Sequence, residues 1–571
     1  MKNTILFATF LSLAASAQAQ TLPTGVNVVP FYDVNKAGLS FKVDQQSLTG
    51  IYEVPGKPQH FVVVGYFGYL WTLFPDTTKT YAAGAIKDYK KKEVGNFNDM
   101  VMKGHEQGAQ GGAFDPWFKK NRYFYVIYNK YASASSYHSG VKPNGQDGYQ
   151  NAGLVVVDRW KFAEDFATMT RDTTIFVAQH GKGYGASNME FGSDGMLYIS
   201  PNGYNWNGWD STTFMRKVLR IDVRNPEGGR MYTIPTDNPF YKSANPLLKK
   251  EIFALGFRNT YNLKADHLTG KIWGGEVGEG DWEEVNIIEA GKNYGWANGG
   301  DYASVGYMSI GIEGPCSPSG QALTSNGGAD TSKTNSQLVM NPFSRVYRGQ
   351  TFTCADLTNA TWSFSRTGKE KNGSKPALDG TTMNNVVVSP AFRGDPTSPF
   401  FGYHFISDVK QKYFIAVKEG VAGAKNVGGV TGMTFSGDQT HNGLTNFGED
   451  SYGNLYVTFV SSNEAGALQW HDIYRMNHEQ LKPLTTPRPQ VHPIDPSVVS
   501  LQSGRDQANR PISMWAAGGN APWLRLPAGA SEAELYDLGG RKLWHGRGVS
   551  GSTLAVPSGL AKGAVWVRYL P

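Results

Sequence analysis

Cysteine is scarce in this chain of 571 residues, where only Cys316 and Cys354 occur. So low a count excludes a disulfide-rich scaffold. One bridge between the two, closing a Ser- and Gly-rich interval, is one interpretation, and two free thiols are the other. No histidine stands at ligand spacing to either cysteine, so nothing here favours a zinc site.

Concentrated charge is also missing. The 54 Lys and Arg residues against 48 Asp and Glu residues leave a formal net charge of +6. Only Lys90, Lys91 and Lys92 form a basic run, which we interpret as a solvated loop. The charge pattern therefore gives no reason to expect a nucleic-acid partner.

Long apolar runs are absent apart from the N-terminus. Lys2 precedes an apolar stretch, residues 5–15, that is too short to span a bilayer, and residues 17–19 (AQA) form a cleavage signal. We predict a signal peptide over residues 1–19, no transmembrane segment, and a mature protein that is secreted or held at the cell surface.

Helical periodicity is scarce as well, and β-patterned runs take its place. Runs such as residues 61–64 (FVVV), 123–128 (YFYVIY) and 154–157 (LVVV) are bounded by Gly, Asp, Asn or Pro. The 68 glycines and 29 prolines follow no collagen period and indicate many turns between short strands. The sequence predicts an all-β protein.

A loose repeat underlies these strands. Each copy has an apolar residue, an Asp-containing turn with Gly or Asn, and a strand that opens with aromatic side chains. The copies lie near Asp115, Asp194, Asp266 and Asp450. A four-stranded unit of this kind cannot bury both faces alone, but blades stacked around an axis can. We predict a six-bladed β-propeller over residues 20–478, with seven or eight blades left open by the spacing.

The amino-acid composition changes after the predicted propeller. Pro483, Pro487, Pro489, Pro493 and Pro496 mark a linker over residues 479–511. Residues 512–571 are predicted to form a small C-terminal β-sandwich-like domain. Its segments 536–541 (YDLGGR) and 559–568 (GLAKGAVWVR) resemble the C-terminal sorting modules of type IX-secreted proteins. A generic appended β-sandwich is the alternative.

Several propeller segments together resemble the glucose/sorbosone dehydrogenase family, whose members are six-bladed propellers that in many cases use pyrroloquinoline quinone (PQQ) and calcium to oxidise sugars. The segments are 106–116 (EQGAQGGAFDP), 217–222 (KVLRID), 234–240 (IPTDNPF), 251–259 (EIFALGFRN), 278–286 (GEGDWEEVN), 292–296 (KNYGW) and 447–450 (FGED). The resemblance spans nearly the whole propeller.

The resemblance implies a set of site residues. Arg258 and Asn259 fall on the motif that faces the quinone, where the fork of an arginine suits carbonyl and carboxylate oxygens. Lys410 stands at a cofactor position by spacing, and Glu106 at a pocket-facing one. The main-chain carbonyls of Gly278 and Glu279 fall where the family binds Ca²⁺, which prefers oxygen ligands. Arg258 could equally brace loop carbonyls, and Glu106 could cap backbone amides.

The chain also departs from the family's pattern. Tyr184 stands at the position of the family's general-base histidine, and His180 lies four residues upstream. Imidazole is the better base at neutral pH, because the pKa of tyrosine lies near 10. Residues 201–204 (PNGY) lack the substrate-contacting aspartate, and residues 443–445 (GLT) lack the arginines of quinone-binding members.

Two functions follow from this pattern. The first is an exported PQQ- and Ca²⁺-dependent sugar dehydrogenase, in which His180 or Tyr184 takes a proton, Arg258 stabilises charge on the quinone oxygens, and a further electron acceptor is needed. The second is a non-catalytic propeller that binds glycan or protein, for which the aromatic loop 204–209 (YNWNGW) is suited. Lactonase- or lyase-like propellers are a third class, which would need a metal on the axis. The sequence does not decide whether the protein is an enzyme.

Overall fold

The computed structural model describes residues 22–31, 48–80, 88–102, 107–131, 153–180, 185–203, 208–278, 282–298, 309–310, 344–347, 350–365, 383, 385–408, 413–421, 423–430, 443–460, 473–488, 515–516, 523–525, 532–536, 542–547, 553–555 and 564–570. The predicted signal peptide lies outside these residues, as do Cys316 and the side chain of Cys354. The disulfide therefore stays a prediction.

Six four-stranded antiparallel sheets form the blades. Blade one contains β2 (Leu48–Glu53), β3 (Phe61–Gly65), β4 (Tyr69–Pro75) and β5 (Tyr89–Asn96). Blade two contains β6 (Ala109–Phe114), β7 (Tyr123–Tyr131), β8 (Gly153–Phe162) and β9 (Met169–His180). Blade three contains β10 (Ala186–Phe191), β11 (Leu197–Pro201), β12 (Lys217–Ile221) and β13 (Ile252–Leu255).

The other three blades follow the same order. Blade four contains β14 (Thr260–Asp266), β15 (Lys271–Glu276), β16 (Trp282–Ile288) and β21 (Trp362–Ser365). Blade five contains β22 (Val386–Val388), β23 (His404–Asp408), β24 (Tyr413–Val417) and β25 (Lys425–Gly429). Blade six contains β26 (Gly443–Glu449), β27 (Leu455–Val460), β28 (Ile473–Asn477) and, from the N-terminus, β1 (Asn27–Pro30).

The blades close into a ring. Each first strand contacts the first strand of the next blade, and β26 contacts β2. The six-bladed β-propeller predicted from the sequence is confirmed. The outer strand of blade six is β1, which pairs with β28 from Asn27 opposite Asn477 to Pro30 opposite Tyr474.

The N-terminal segment also joins blade five to blade six. The amides of Gly25 and Val26 donate to the Val427 carbonyl, and the Gly429 amide donates to the Val26 carbonyl, at 2.8 to 2.9 Å. Gly428 has φ +152°, and a Cβ there would lie 1.9 Å from the Val26 oxygen. Only glycine allows the two backbones to approach so closely.

The first strands run parallel around the axis. Equivalent positions of neighbouring blades meet, as when Asn262 Nδ2 donates to the Val388 carbonyl at 2.6 Å and Asn446 Nδ2 donates to the Thr49 carbonyl at 3.0 Å. All first strands therefore begin at the same end, which we call the upper end. Second strands finish there, third strands begin there and fourth strands finish there. The opposite side is the lower end.

Apolar residues cover both faces of the middle strands. In β7, Tyr125 and Ile127 pack in the core between blades two and three, while Phe124, Val126 and Tyr128 pack in the core between blades one and two. A strand covered on both faces loses the polar alternation of a half-exposed strand, which explains the unbroken run YFYVIY.

The Asp-containing repeat forms the turn between the first and second strands, at the lower end. In blade six, Asp450 Oδ1 accepts from the Tyr452 and Asn454 amides, each at 2.9 Å, and Tyr456 Oη donates to Oδ2 at 2.7 Å. Tyr198 makes the same bond to Asp194 at 2.9 Å. In three of the four copies the carboxylate both closes the turn and accepts from a tyrosine hydroxyl, whereas Asp266 accepts from Thr269 and Arg393.

Six further described elements between residues 118 and 356 are not strands of the six blades. They are β17 (Ala297–Asn298), β18 (Ser309–Ile310), β19 (Ser344–Tyr347), β20 (Gln350–Thr353), the short helix α1 (Phe118–Asn121) and one 3₁₀ turn (Cys354–Asp356). Among the described residues, no helix has the length and hydropathy needed to cross a membrane. The interpretation of Lys90, Lys91 and Lys92 as a loop is wrong. They lie in β5, the outer strand of blade one, where lysines discourage pairing with another sheet.

The C-terminal region contributes two small sheets. One has the order β29 (Trp515–Ala516), β34 (Ala564–Leu570), β31 (Glu532–Tyr536), β32 (Lys542–Arg547), and the other pairs β30 (Trp523–Arg525) with β33 (Thr553–Ala555). The β-sandwich-like arrangement and the sorting role stay predictions.

The segment after β28 lies against the lower end. The Leu484 amide donates to the Tyr452 carbonyl at 2.8 Å, and the Arg488 amide donates to the Ser451 carbonyl at 2.7 Å. Arg488 Nη2 lies 2.8 Å from Glu449 Oε2 at the end of β26. The chain thus leaves the propeller at its lower end. The predicted boundary at residue 478 and the linker beyond it stay predictions.

His404 is a buried polar residue at the lower end, between blades four and five. It has 1% of its surface exposed, and its ring stacks on Trp273 with centroids 3.8 Å apart. A neutral imidazole donates from Nδ1 to the Ser389 carbonyl at 2.8 Å. Burial lowers the pKa of His404 to about 4, with nearby Arg393 acting in the same direction and Asp266 opposing it.

Tyr456→Phe should lower the free energy of unfolding by about 1 kcal/mol, because it removes one buried hydrogen bond to Asp450. Chemical denaturation of the full chain measures this. Tyr413→Phe is the matched control, since that half-buried tyrosine in β24 contacts no carboxylate among the described residues. Equal losses in the two variants would contradict the assigned role of the turn.

His404→Phe should change how stability depends on pH. The folded-state pKa of about 4 lies below the unfolded value near 6.5, so the unfolded chain takes up the proton first as pH falls. The contribution of His404 is therefore present above pH 6.5 and is lost as pH falls toward 4. Relative to the variant, the native protein should lose about 3 kcal/mol over this range. Denaturation at pH 7.5 and pH 4.5 measures it, and parallel pH profiles would refute it.

Candidate functional site

The predicted site residues divide into two groups. His180, Arg258, Asn259 and Gly278 are described, and all four lie at the upper end of the propeller. The other predicted residues, Glu106, Tyr184, Glu279 and Lys410, lie outside the described residues. Their roles stay predictions.

Arg258 and Asn259 lie in the connection from β13 to β14, and one carboxylate fixes this connection. Glu276, the last residue of β15, accepts from the Arg258 amide and from the Asn259 amide at 3.0 Å through Oε1. Thr260 Oγ1 donates to its Oε2 at 2.9 Å. Glu276 is 5% exposed, so these three donors replace the water it has lost.

A second carboxylate faces the first. Glu284 on β16 is the direct cross-strand partner of Glu276. Burial, together with the charges of Glu276 and Glu283, raises the pKa of Glu284 to about 8, and a hydrogen bond from Asn286 acts against this. Burial also raises the pKa of Glu276, while its three donors act against this. The pair therefore holds a proton at neutral pH, because the buried Glu276 and the half-buried Glu284 lie side by side and cannot both ionise cheaply.

The Arg258 side chain is partly exposed and reaches toward the strand end that carries Gly278. Its Nη1 donates to the Val277 carbonyl at 3.0 Å. The Gly278 amide donates to Glu283 Oε1 at 3.2 Å, and the Val386 amide donates to the other oxygen of Glu283 at 2.9 Å. Arg258 and Gly278 are thus neighbours, and buried carboxylates hold the backbone of each.

The amide group of Asn259 has a defined orientation. Its Oδ1 accepts from Ser187 Oγ at 3.0 Å and from Asn202 Nδ2 at 3.0 Å. No described residue accepts from Asn259 Nδ2, which points away from these two donors. The side chain therefore offers a hydrogen-bond donor at the upper end.

His180 is the last residue of β9 and faces the junction of blades two and three. It has no exposed surface. A Cβ on Gly153 would lie 2.5 Å from His180 Nε2, and a Cβ on Gly185 would lie 2.4 Å from its Cδ2. The ring is therefore packed tightly against backbone. A general base must be reachable by its substrate, so this placement counts against His180 in that role.

Among the positions where the chain departs from the family's pattern, the described residues Asn202, Leu444 and Thr445 are all buried and uncharged. Leu444 is 2% exposed, and Thr445 Oγ1 donates to the Leu48 carbonyl at 2.7 Å. Asn202 has no exposed surface, and its amide donates to the Gly185 carbonyl at 2.5 Å. Within the described part of blade six, the first strand offers no cation to the upper end.

The sequence pattern does not indicate two buried basic side chains at the upper end of blade three, Arg216 and Lys217. Arg216 is 1% exposed and has φ +60°, a strained value for a residue other than glycine. Its Nε donates to the Gly203 carbonyl at 2.8 Å. Burial lowers the pKa of Lys217 to about 7, and its Nζ donates to the Met215 carbonyl at 2.8 Å. These side chains brace the loop that carries Asn202.

Comparison with known proteins agrees with the motifs. Residues 80–310, less than half of the chain, match the family described as Glucose / Sorbosone dehydrogenase. Quinoprotein glucose dehydrogenase B of Acinetobacter calcoaceticus is 25% identical over 328 residues, which are 50% of this chain and 63% of that protein. Aldose sugar dehydrogenase YliI of Escherichia coli (strain K12) is 26% identical over 198 residues, which are 33% of this chain and 46% of that protein.

A solved structure of PQQ-bound aldose sugar dehydrogenase from Streptomyces coelicolor superimposes with a TM-score of 0.46 at 15% identity, covering 80% of this chain and 98% of that one. The chain spans less than two thirds of the length of the curated relatives it matches. The matched residues include His180, Arg258, Asn259 and Gly278, so the described candidate site lies within the part of the chain that is similar to the Glucose / Sorbosone dehydrogenase family.

Proposed function

We propose that this protein is a sugar dehydrogenase-like propeller that binds PQQ and Ca²⁺ at its upper end and oxidises a sugar hydroxyl. One observation carries the proposal: Arg258, Asn259 and Gly278 are held together, with Glu276 fixing the backbone of the first two. The family match over residues 80–310 supports it.

The described residues fit one side of such a cofactor. PQQ is an anionic quinone, and a guanidinium fork beside an amide donor suits its oxygens. Arg258 is partly exposed, and Asn259 presents its amide nitrogen. A main-chain carbonyl at Gly278, with that of Glu279, suits Ca²⁺. The described part of the first strand of blade six supplies no matching cation, so among the described residues binding would depend mainly on blades three and four.

The chemistry divides between cofactor and protein. When bound, a quinone of this type supplies the acceptor for a hydride from the sugar carbon. Arg258 is placed to stabilise negative charge on the ligand. The proton held by Glu276 and Glu284 reduces the negative charge that would compete with the ligand for Arg258. The proton acceptor remains a proposal. Tyr184 is the second candidate beside His180, whose burial is unfavourable.

We further propose that the protein is exported by its N-terminal signal and that the C-terminal region serves sorting or anchoring. The exit of the chain supports this arrangement, because Arg488 binds Ser451 and Glu449 at the lower end. An anchor attached there would leave the upper end accessible to a sugar and an electron acceptor.

A non-catalytic propeller that binds glycan or protein is the second candidate. It is favoured by the complete burial of His180 and Asn202. The aromatic loop considered for sugar stacking gives it less support, because Trp209 is only 5% exposed and residues 204–207 lie outside the described residues.

Calorimetric titration of the full chain with PQQ tests the proposal. We expect saturable binding that requires Ca²⁺. Arg258→Ala should raise Kd by at least about tenfold, since a charge-assisted hydrogen bond contributes about 1.5–3 kcal/mol. Arg224→Ala is the matched control, because Arg224 pairs with Asp222 at the lower end. It should leave Kd unchanged.

The outcomes separate the two candidates. Binding that Arg258→Ala weakens, followed by dye-linked turnover of aldoses, establishes the dehydrogenase. Binding without turnover points to a propeller that has lost its base. Absence of binding at tens of micromolar PQQ with Ca²⁺ would refute the quinone proposal and leave the non-catalytic candidate.

A further inference from the structure

Among the described residues at the upper end, Asn202 has the buried side-chain amide with the most hydrogen-bond partners. It follows the last residue of β11 and has no exposed surface. Its Nδ2 lies near four oxygens, Ser187 Oγ at 2.6 Å, Asn259 Oδ1 at 3.0 Å, the Thr260 carbonyl at 3.4 Å and the Ser200 carbonyl at 3.5 Å. Three of these four oxygens carry no proton, so only an amide nitrogen is compatible with the cluster.

This cluster determines which way Asn259 points. Ser187 Oγ accepts from Asn202 and donates to Asn259 Oδ1, while Asn202 Nδ2 donates to the same oxygen. With its oxygen bound twice, the Asn259 amide cannot rotate without breaking two buried bonds. Its nitrogen must therefore stay turned to the side where the sequence resemblance expects the quinone.

We infer that Asn202 is a positioning residue that fixes the Asn259 amide so that its nitrogen donates to a quinone oxygen at the upper end. The inference rests on the proposed function. It assigns to Asn202 a role different from that of the aspartate expected at this position, which would contact the substrate. In this chain the side chain is turned inward and acts through its neighbour.

The effect of restoring an aspartate follows from the same contacts. A carboxylate at position 202 has no proton to donate at neutral pH. It would face Asn259 Oδ1 and the Thr260 carbonyl, both of which are acceptors. Asn259 would turn its nitrogen inward to meet the new charge, and the donor at the upper end would be lost.

The test compares PQQ affinity in the presence of Ca²⁺ for the full chain and for Asn202→Asp, Asn202→Ala, Asn259→Ala and the Asn202→Ala/Asn259→Ala double variant. Either change at residue 202 should raise Kd about tenfold, the size of one lost hydrogen bond. The double variant should bind no more weakly than Asn259→Ala alone, because Asn202 acts only through Asn259. The absorption spectrum of bound PQQ should shift alike in Asn202→Ala and Asn259→Ala.

Controls separate positioning from folding. Asn454→Ala removes a lower-end amide that donates to Asp450 at 2.8 Å, and it should lower stability without changing Kd. If both changes at residue 202 prevent folding, Ser187→Ala removes one of the two donors to Asn259 and should weaken binding in the same direction. An unchanged Kd in Asn202→Ala while Asn259→Ala weakens binding, or additive losses in the double variant, would overturn the inference and leave the proposed function standing. A native chain that binds no PQQ would overturn both.

Discussion

The structure depends on one constraint: a four-stranded blade has two apolar faces, and each face must be covered by another blade. The constraint is met only when the ring closes, and here the closing strand β1 comes from the opposite end of the chain and pairs with β28. Closure brings six first strands together at the axis. Closure alone therefore buries the upper ends of the first strands. The polar backbone and side-chain groups there must form their hydrogen bonds within the protein.

The two ends of the propeller meet this requirement in different ways. At the lower end the carboxylates of the Asp-containing turns bind groups of their own turn, as Asp450 binds Tyr452, Asn454 and Tyr456. Asp266 in addition pairs with Arg393 of blade five. At the upper end the partners come from different strands or blades. Glu276 binds the connection between blades three and four, and Asn202 binds Ser187 and Asn259. A local turn stabilises one blade, whereas contacts between strand ends fix side chains in a common site.

This difference decides how much could be predicted from the sequence. The blades and the Asp-containing turns are local, so spacing and residue type revealed them. Arg258 and Asn259 were found through a contiguous motif. The orientation of Asn202 and the burial of His180 depend on neighbours far away in the chain, and no spacing encodes them. The charge of Lys90, Lys91 and Lys92 favours a solvated loop in the sequence, yet the outer strand β5 accommodates exposed lysines equally well.

The same reasoning bears on what the site can do. The proposed quinone site needs positive charge, a donor and a cation ligand, and Arg258, Asn259 and Gly278 on blades three and four are the described residues proposed to supply them. A dehydrogenase also needs a proton acceptor that the substrate can reach, and His180 lacks any exposed surface. The described residues therefore fit quinone binding better than they fit sugar oxidation. Asn202 supports Asn259 and does not face outward. The proposed site can therefore lack the substrate-contacting acid and still keep the residues proposed to bind the cofactor.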